Sequence, residues 1–162
     1  IRLNEGKGKV SFYSSNQEIE YTGNNDDLVI GGLNENAPKD ITPPIARLYM
    51  DNESFVSGGA TDNNPVFLAF VEDESGINTA SGIGHDIVIV VDDKEDKSVI
   101  LNDYYETELD NFRKGKVTYQ LKELDPGMHT IQFKVWDVYN NLSTTEIQFL
   151  VKQDEALKIE KV

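Results

Sequence analysis

The chain has 162 residues, and its 29 acidic against 15 basic side chains give a formal net charge of −14. A chain of this length forms one domain or one and a half, and folding buries about two-thirds of its surface, so a core can form without disulfides. The excess negative charge repels phosphate groups, which argues against nucleic acid and anionic lipid as partners. No apolar run approaches the roughly 20 residues of a membrane-spanning helix, so no membrane insertion is predicted.

Cysteine is absent, which removes disulfides, thiolate metal sites and a cysteine nucleophile from this chain. The chain begins at Ile1, without an initiator methionine or a charged-then-apolar signal segment. We therefore expect it to be an internal piece of a longer protein.

Short apolar runs with polar residues between them, bounded by Gly, Pro, Asn and Asp, predict an all-β chain. Residues 1–40 carry three weaker strand signals, at Lys9–Tyr13, Glu18–Tyr21 and Leu28–Ile30. Seven clearer strands follow: Ile45–Met50, Val66–Val71, Ile87–Val91, Ser98–Leu101, Gly115–Leu121, His129–Asp137 and Thr144–Val151. Seven strands at this spacing predict a β-sandwich.

A domain boundary is predicted at Ala37–Pro44, APKDITPP, because paired prolines force extended backbone and interrupt both helices and strand ladders. The predicted organisation is an N-terminal β segment at residues 1–40, the sandwich at 41–152 and a C-terminal linker at 153–162. The sequence leaves open whether the first segment forms a separate β-hairpin or adds strands to the sandwich.

The alternation in His129–Asp137 directs Ile131, Phe133 and Val135 to one face, as in a half-buried antiparallel strand. The run Ile87–Val91 is apolar throughout, which predicts a strand covered on both faces. Trp136 is expected at an edge or rim of the sheet.

Two turns are predicted, one at Asp125-Pro126-Gly127 and one at Asp92–Asp96, where turn-forming residues separate apolar runs. The segment Tyr104–Arg113, YYETELDNFR, is the single candidate for a helical turn.

No catalytic constellation emerges from the residues. His85 and His129 lack a ligand partner at metal-site spacing, so each is expected to hydrogen-bond a neighbouring loop. No serine lies in a nucleophile elbow, and the glycine pairs lack the lysine and helix of a phosphate-binding loop. The many acidic side chains cannot be sorted into a glycosidase pair. No catalytic or cofactor-binding residue is therefore predicted.

Calcium binding is a more specific alternative to catalysis, because hard cations bind loop oxygens and the chain has several loops rich in Asp and Asn. These loops contain Asp51-Asn52-Glu53, Asp62-Asn63-Asn64, Asp73-Glu74, and Asp137 with Asn140-Asn141. We take Asp73, Asp137 and Asn140 as the calcium candidates, although no EF-hand pattern is present and the same residue types also form ordinary turns. Glycan binding would need an exposed aromatic platform, for which the candidates are Trp136, Tyr104, Tyr105 and Phe112.

Two motifs resemble those of bacterial immunoglobulin-like modules. Asp40-Ile41-Thr42-Pro43-Pro44 resembles their D-x-x-P-P opening, and Asp137–Ser143 resembles their D-x-x-G-N-x-S loop. The strings LYMDNESFVSGGATDNNP, EDESGINTASGIGHDIVIVVDD, LNDYYETELDNFRKGKVTYQL and LDPGMHTIQFKVWDVYNNLS lie between or across these motifs. Together they resemble the region after the peptidase domain in PorU-like sortases of the type IX secretion system, which are gingipain-family cysteine peptidases of Bacteroidetes.

The resemblance covers Asp40–Val151 and extends weakly over the first 40 residues. It implies an immunoglobulin-like sandwich in an exported protein at the cell surface that removes C-terminal sorting signals from secreted cargo. The family's catalytic Cys and His lie in the upstream domain, and no residue of this chain matches that motif. The implied role is therefore a noncatalytic spacer or docking domain, with the parent peptidase domain or subunits of the secretion machinery as partners. The tail, LKIEKV, would approach a C-terminal sorting module.

Partner-binding candidates lie in two segments that the strand pattern leaves irregular. The Ser75–Asp86 loop contributes His85, and the Tyr104–Arg113 segment contributes Tyr104, Tyr105 and Phe112. Recognition residues concentrate on such connections of a rigid sandwich. Equally, both segments could simply cap the ends of the sandwich. The alternative function is a calcium- or glycan-binding sandwich of a surface protein.

Overall fold

A computed structural model describes residues 5–16, 18–31, 36, 39–80 and 84–153. The chain divides into two compact units, Ile1–Pro38 and Lys39–Val162. Residues 81–83 of the predicted Ser75–Asp86 loop and most of the predicted C-terminal linker lie outside the described residues.

The first unit contains a two-stranded antiparallel hairpin of β1 (Gly6–Ser15) and β2 (Glu20–Ile30). The sequence predicted two separate short strands at Glu18–Tyr21 and Leu28–Ile30, but the structure joins them into one strand. The Asn- and Asp-rich residues between these two predicted strands are extended as well, because they pair with β1. The pairing register shifts between Gly8 and Val10 of β1.

Within residues 39–80 and 84–153, the second unit has nine strands and two single-turn 3-10 helices, Glu95–Lys97 and Asn102–Tyr104. The strands are β3 (Ile45–Met50), β4 (Ala60–Thr61), β5 (Val66–Glu72), β6 (Val88–Val91), β7 (Val99–Ile100), β8 (Tyr105–Glu108), β9 (Asn111–Gln120), β10 (Gly127–Trp136) and β11 (Leu142–Val151). In the part of the chain that the structure describes, no helix is long and apolar enough to cross a membrane.

These strands form two sheets with the orders β3-β5-β9-β8 and β4-β11-β10-β6-β7. Among these strands, β4 pairs with β11 in parallel and the other pairings described are antiparallel. One sheet has four strands, and β10 lies at the centre of the other, between β11 and β6, so the two sheets form a β-sandwich. The predicted all-β sandwich is confirmed.

The core lies between the inner faces of the two sheets. Ile131, Phe133 and Val135 are fully buried, as the alternation along β10 predicted. From the opposite sheet, Phe67 approaches Phe133 with ring centroids 5.8 Å apart. The run Ile87–Val91 begins one residue before β6, which lies between β10 and β7, and Val90 on its outer side is only 4% exposed.

The helical turn predicted for Tyr104–Arg113 is wrong. The 3-10 helix ends at Tyr104, and the segment continues as a β-hairpin of β8 and the start of β9, with Asp110 in the left-handed region at its tip (φ 58°). Gly115 explains the tight pairing, because a Cβ atom there would overlap the Tyr105 hydroxyl. Pairing with β9 outweighs the weak local helical preference.

Candidate functional site

Three aspartates meet at one end of the sandwich because three strands begin or end there. Asp40 precedes β3, Asp73 follows β5 and Asp137 follows β10. The start of β3 pairs with the end of β5, and the β5 and β10 ends are joined by the Ile77–Asp137 bridge. Chain elements far apart in sequence therefore place the three carboxylates, which we call the aspartate cluster, side by side.

The aspartate cluster is compact and largely withdrawn from solvent. One carboxylate oxygen from each residue lies within 4.8 Å of the others. Asp137 is fully buried and Asp73 is 5% exposed, whereas Asp40 is half-buried. Three negative charges thus share a site in which water screens them poorly.

Asp137 is held by the loop that it begins. Its Oδ1 accepts hydrogen bonds from the backbone N–H groups of Tyr139 (2.8 Å) and Asn141 (2.7 Å), and its Oδ2 accepts one from Asn141 Nδ2 (2.6 Å). Asn141 Nδ2 also donates to the backbone carbonyl of Asp40 at 3.1 Å. The amide of Asn141 therefore ties Asp137 to the segment that enters β3.

Asp73 is oriented in a similar way. Its Oδ1 accepts hydrogen bonds from the backbone N–H groups of Ser75 (2.8 Å) and Gly76 (3.0 Å). The Ser75 hydroxyl donates to Asp40 Oδ2, so Ser75 connects the two carboxylates, binding Asp73 with its backbone N–H and Asp40 with its side chain. These bonds orient the carboxylates toward one another.

The pKa values of the cluster follow from these contacts. Burial, and then the charges of Asp137 and Asp40, raise the pKa of Asp73 against the opposing effect of its backbone hydrogen bonds. The hydrogen bond from Ser75, followed by the backbone N–H of Thr42, lowers the pKa of Asp40. Burial and the neighbouring charges thus oppose ionisation of Asp73, whereas hydrogen bonds favour the ionised form of Asp40.

The sequence predicted two of the three aspartates as calcium candidates, and the structure brings Asp73 and Asp137 together. The third candidate, Asn140, lies on the same loop in the left-handed region (φ 69°), where the bacterial immunoglobulin-like pattern has glycine. Sequence reasoning did not include Asp40 among the calcium candidates, although the D-x-x-P-P motif contains it. Asp51 and Asp62 instead accept the backbone N–H groups of Val66 and Asn64.

The partner-binding candidates occupy different settings. His85 makes an edge contact with Trp136, with ring centroids 4.5 Å apart, and Tyr104 makes one with Tyr119 at 4.9 Å. Phe112 is 63% exposed, with the Arg113 guanidinium 5.5 Å from its ring centroid.

Tyr105 differs from the other three candidates, because it packs half-buried against the core. Burial raises the pKa of its hydroxyl. Its ring is therefore occupied by packing within the sandwich, and all four assignments stay predictions.

Comparison with solved structures gives a match to a region of a larger protein. The chain aligns with the dimeric latent form of PorU from Porphyromonas gingivalis at 30% sequence identity and a TM-score of 0.69. This chain is similar to part of PorU. The match covers 93% of this chain and only 14% of the PorU chain, so it concerns one region of that protein. It agrees with the PorU-like resemblance of the sequence strings.

The remaining comparisons add little. CopC from Methylosinus trichosporium OB3b shares 18% identity over 68% of this chain and 99% of its own, with a TM-score of 0.41, which is too low to support an argument. No protein-family model and no curated protein matches the chain.

Proposed function

We propose that this chain is a noncatalytic accessory domain of a PorU-like, gingipain-family cysteine peptidase at the cell surface, where it docks and positions the peptidase domain. The similarity to PorU over 93% of the chain carries this proposal. The absence of cysteine supports it, because the chain cannot supply the nucleophile of such a peptidase. The type IX secretion system and the sorting signals of its cargo follow from the sequence resemblance and belong to the same proposal.

The β1–β2 hairpin supplies a surface for docking. The pairing register places Val10, Phe12, Tyr21, Leu28 and Ile30 on one face. These side chains are 36–66% exposed. A two-stranded hairpin with one apolar face is marginally stable unless that face is covered. We assign the peptidase domain of the same polypeptide as the cover, because the matched region is a small part of a much longer chain in PorU.

Replacing Phe12 by serine is expected to weaken binding of this chain to the separately expressed peptidase domain at least tenfold, because an apolar anchor would be lost. Isothermal titration calorimetry measures the affinity. Tyr13→Ser is the matched control, since Tyr13 is 65% exposed against 61% for Phe12 but lies on the opposite face. Equal weakening by both substitutions, or by neither, would contradict docking through this face.

As a second function, we propose calcium binding at the aspartate cluster. Calcium binds oxygen ligands at about 2.4 Å, so oxygens on opposite sides of the ion lie up to about 4.8 Å apart. The separation of the three carboxylates, at most 4.8 Å, agrees with this geometry. Asp40, Asp73 and Asp137 would hold the ion, and its charge would offset both the burial and the repulsion that raise the pKa of Asp73.

Calcium at about 100 times its Kd is expected to stabilise the chain by about 2.7 kcal/mol, a rise in Tm of several degrees. Asp73→Asn should abolish this rise, because the amide keeps the Oδ1 acceptor for Ser75 and Gly76 but loses the charge. Differential scanning calorimetry with calcium and with magnesium measures both effects. Asp62→Asn, in an exposed turn, is the control and should retain the calcium response.

Asp73→Asn is also expected to change the Tm in the absence of calcium. An aspartate whose pKa is higher in the folded than in the unfolded state favours folding while it is protonated. That contribution is fully present below the ordinary pKa and is lost as pH rises through the folded-state pKa, above which the carboxylate charge opposes folding. At neutral pH the Asp73 charge therefore destabilises the fold, and the variant should have a higher Tm than the wild type. A lower Tm, together with an unchanged calcium response, would overturn the assignment.

A further inference from the structure

His129, near the start of β10, contacts acceptor groups from two different connections. Its Nδ1 lies 2.8 Å from Asp92 Oδ2, in the turn after β6. Its Nε2 lies 2.7 Å from the backbone carbonyl oxygen of Asp125, in the connection between β9 and β10. A carboxylate and a carbonyl can only accept hydrogen bonds, so both contacts are satisfied together only when both ring nitrogens carry a proton.

The surroundings hold this imidazolium in place. His129 is 9% exposed and its ring stacks on Phe149 of β11, with centroids 5.5 Å apart. Asp92 is fixed in turn, because its Oδ1 accepts the backbone N–H of Thr130 at 3.1 Å and its own N–H donates to the Thr130 carbonyl at 2.9 Å. The ring therefore has little freedom to exchange one acceptor for another.

Opposing effects act on the protonation of His129. Burial alone would lower the pKa of His129, but the Asp125 carbonyl and the Asp92 carboxylate together outweigh burial and raise it, against a smaller opposing effect of Lys94. Lys97 from the 3-10 helix, and Lys122 and Glu123 from the β9–β10 connection, line the same groove. The charged groups on the neighbouring elements are thus of both signs.

We propose that His129 is a pH-dependent latch that fastens the β9–β10 connection to the turn after β6. When the ring loses a proton, the Asp92 carboxylate retains the Nδ1–H because it is the stronger acceptor. Nε2 then faces the Asp125 carbonyl with a lone pair, and this contact becomes repulsive. A histidine with a raised folded-state pKa stabilises the fold below its ordinary pKa and loses that contribution as pH rises through the folded-state pKa. The latch is closed in mild acid and open in mild base.

The opening is confined to a short segment. Leu121 and Leu124 donate backbone hydrogen bonds to the carbonyls of Pro65 and Asn63, both at 3.0 Å, and neither bond involves His129. On the other side, Gly127 pairs with Val151 of β11, so the latch acts on Asp125 and Pro126 between these two anchors. This segment borders the groove that His129 lines, so its release widens access to that groove.

Nuclear magnetic resonance of the full 162-residue chain, labelled with ¹⁵N, tests the latch from about pH 5.5 to about pH 9. The ¹⁵N shifts of the His129 ring should show protonation of both nitrogens at the acidic end, with a midpoint above that of free histidine. The amide signals of Asp125, Gly127 and Asp92 should shift with the same midpoint. The amides of Leu142–Thr144, at the far end of β11, are the internal reference, and their signals should not shift with this midpoint.

Two variants separate the latch from ordinary packing. Asp92→Asn should move the His129 midpoint back toward that of free histidine, and the Asp125 and Gly127 amides should follow it. His129→Gln should abolish their titration while the rest of the spectrum remains that of a folded sandwich. A His129 midpoint at or below that of free histidine would overturn the proposal. So would amide signals of Asp125 and Gly127 that do not shift while His129 titrates.

Discussion

Replacing Phe133 by alanine is expected to lower the free energy of unfolding of the sandwich by about 3–5 kcal/mol. Phe133 is fully buried at the centre of β10, and its ring lies 5.8 Å from that of Phe67 in the opposite sheet. The substitution removes the side chain that fills the space between the sheets. Strand backbones on both sides are fixed by ladder hydrogen bonds, so the cavity can close only in part.

Urea denaturation followed by circular dichroism measures this loss, with Leu109→Ala as the control. Leu109 belongs to the same unit but is 87% exposed, so its truncation should change the stability by no more than about 0.5 kcal/mol. A loss below about 1 kcal/mol for Phe133→Ala would mean that this ring does not bridge the two sheets.

The second large effect is expected at Asp137, where alanine should destabilise the fold by about 2–4 kcal/mol. The substitution leaves the backbone N–H groups of Tyr139 and Asn141 and the Asn141 side-chain amide without their acceptor in a fully buried position. The substitution also removes the repulsion between Asp137 and Asp73, which offsets part of this cost. The gain is limited because Asp40 still repels Asp73.

Thermal unfolding without added metal separates these contributions. Asp137→Asn keeps one acceptor oxygen and should be less destabilising than Asp137→Ala. Asp62→Ala removes a single exposed acceptor for the Asn64 N–H and should cost about 1 kcal/mol or less. If Asp137→Ala were no worse than Asp62→Ala, the buried hydrogen bonds of Asp137 would not support the loop.

The aspartate cluster shows how far residue types alone can locate a site. Asp73 and Asp137 were predicted as calcium candidates because they follow strands in oxygen-rich loops. Asp51 and Asp62 have the same local sequence character but do not belong to the aspartate cluster; Asp51 accepts the backbone N–H of Val66, at the start of β5, and Asp62 accepts that of Asn64. Asp40 precedes Asp73 by 33 positions and Asp137 by 97, and no local pattern relates residues so far apart. Their proximity arises from strand pairing.

The hairpin of β8 and β9 shows the same limit for secondary structure. Tyr104–Arg113 has a weak helical preference and no strand alternation, so the local signal favoured a helical turn. The register of Tyr105 opposite Val117 decided the outcome, because strand hydrogen bonds and the packing of Tyr105 over Gly115 outweigh that preference.

By itself, the sequence determined the all-β class, the buried set along β10, and the absence of a cysteine nucleophile. These properties depend on residue type and on a two-residue period, which reports the burial of a strand face without knowledge of its neighbours. Only the tertiary structure decided the strand order, the meeting of Asp40, Asp73 and Asp137, and the two-sided contact of His129 with Asp92 and Asp125. Each of these joins residues that are distant along the chain, so its geometry exists only once the sheets have paired and packed.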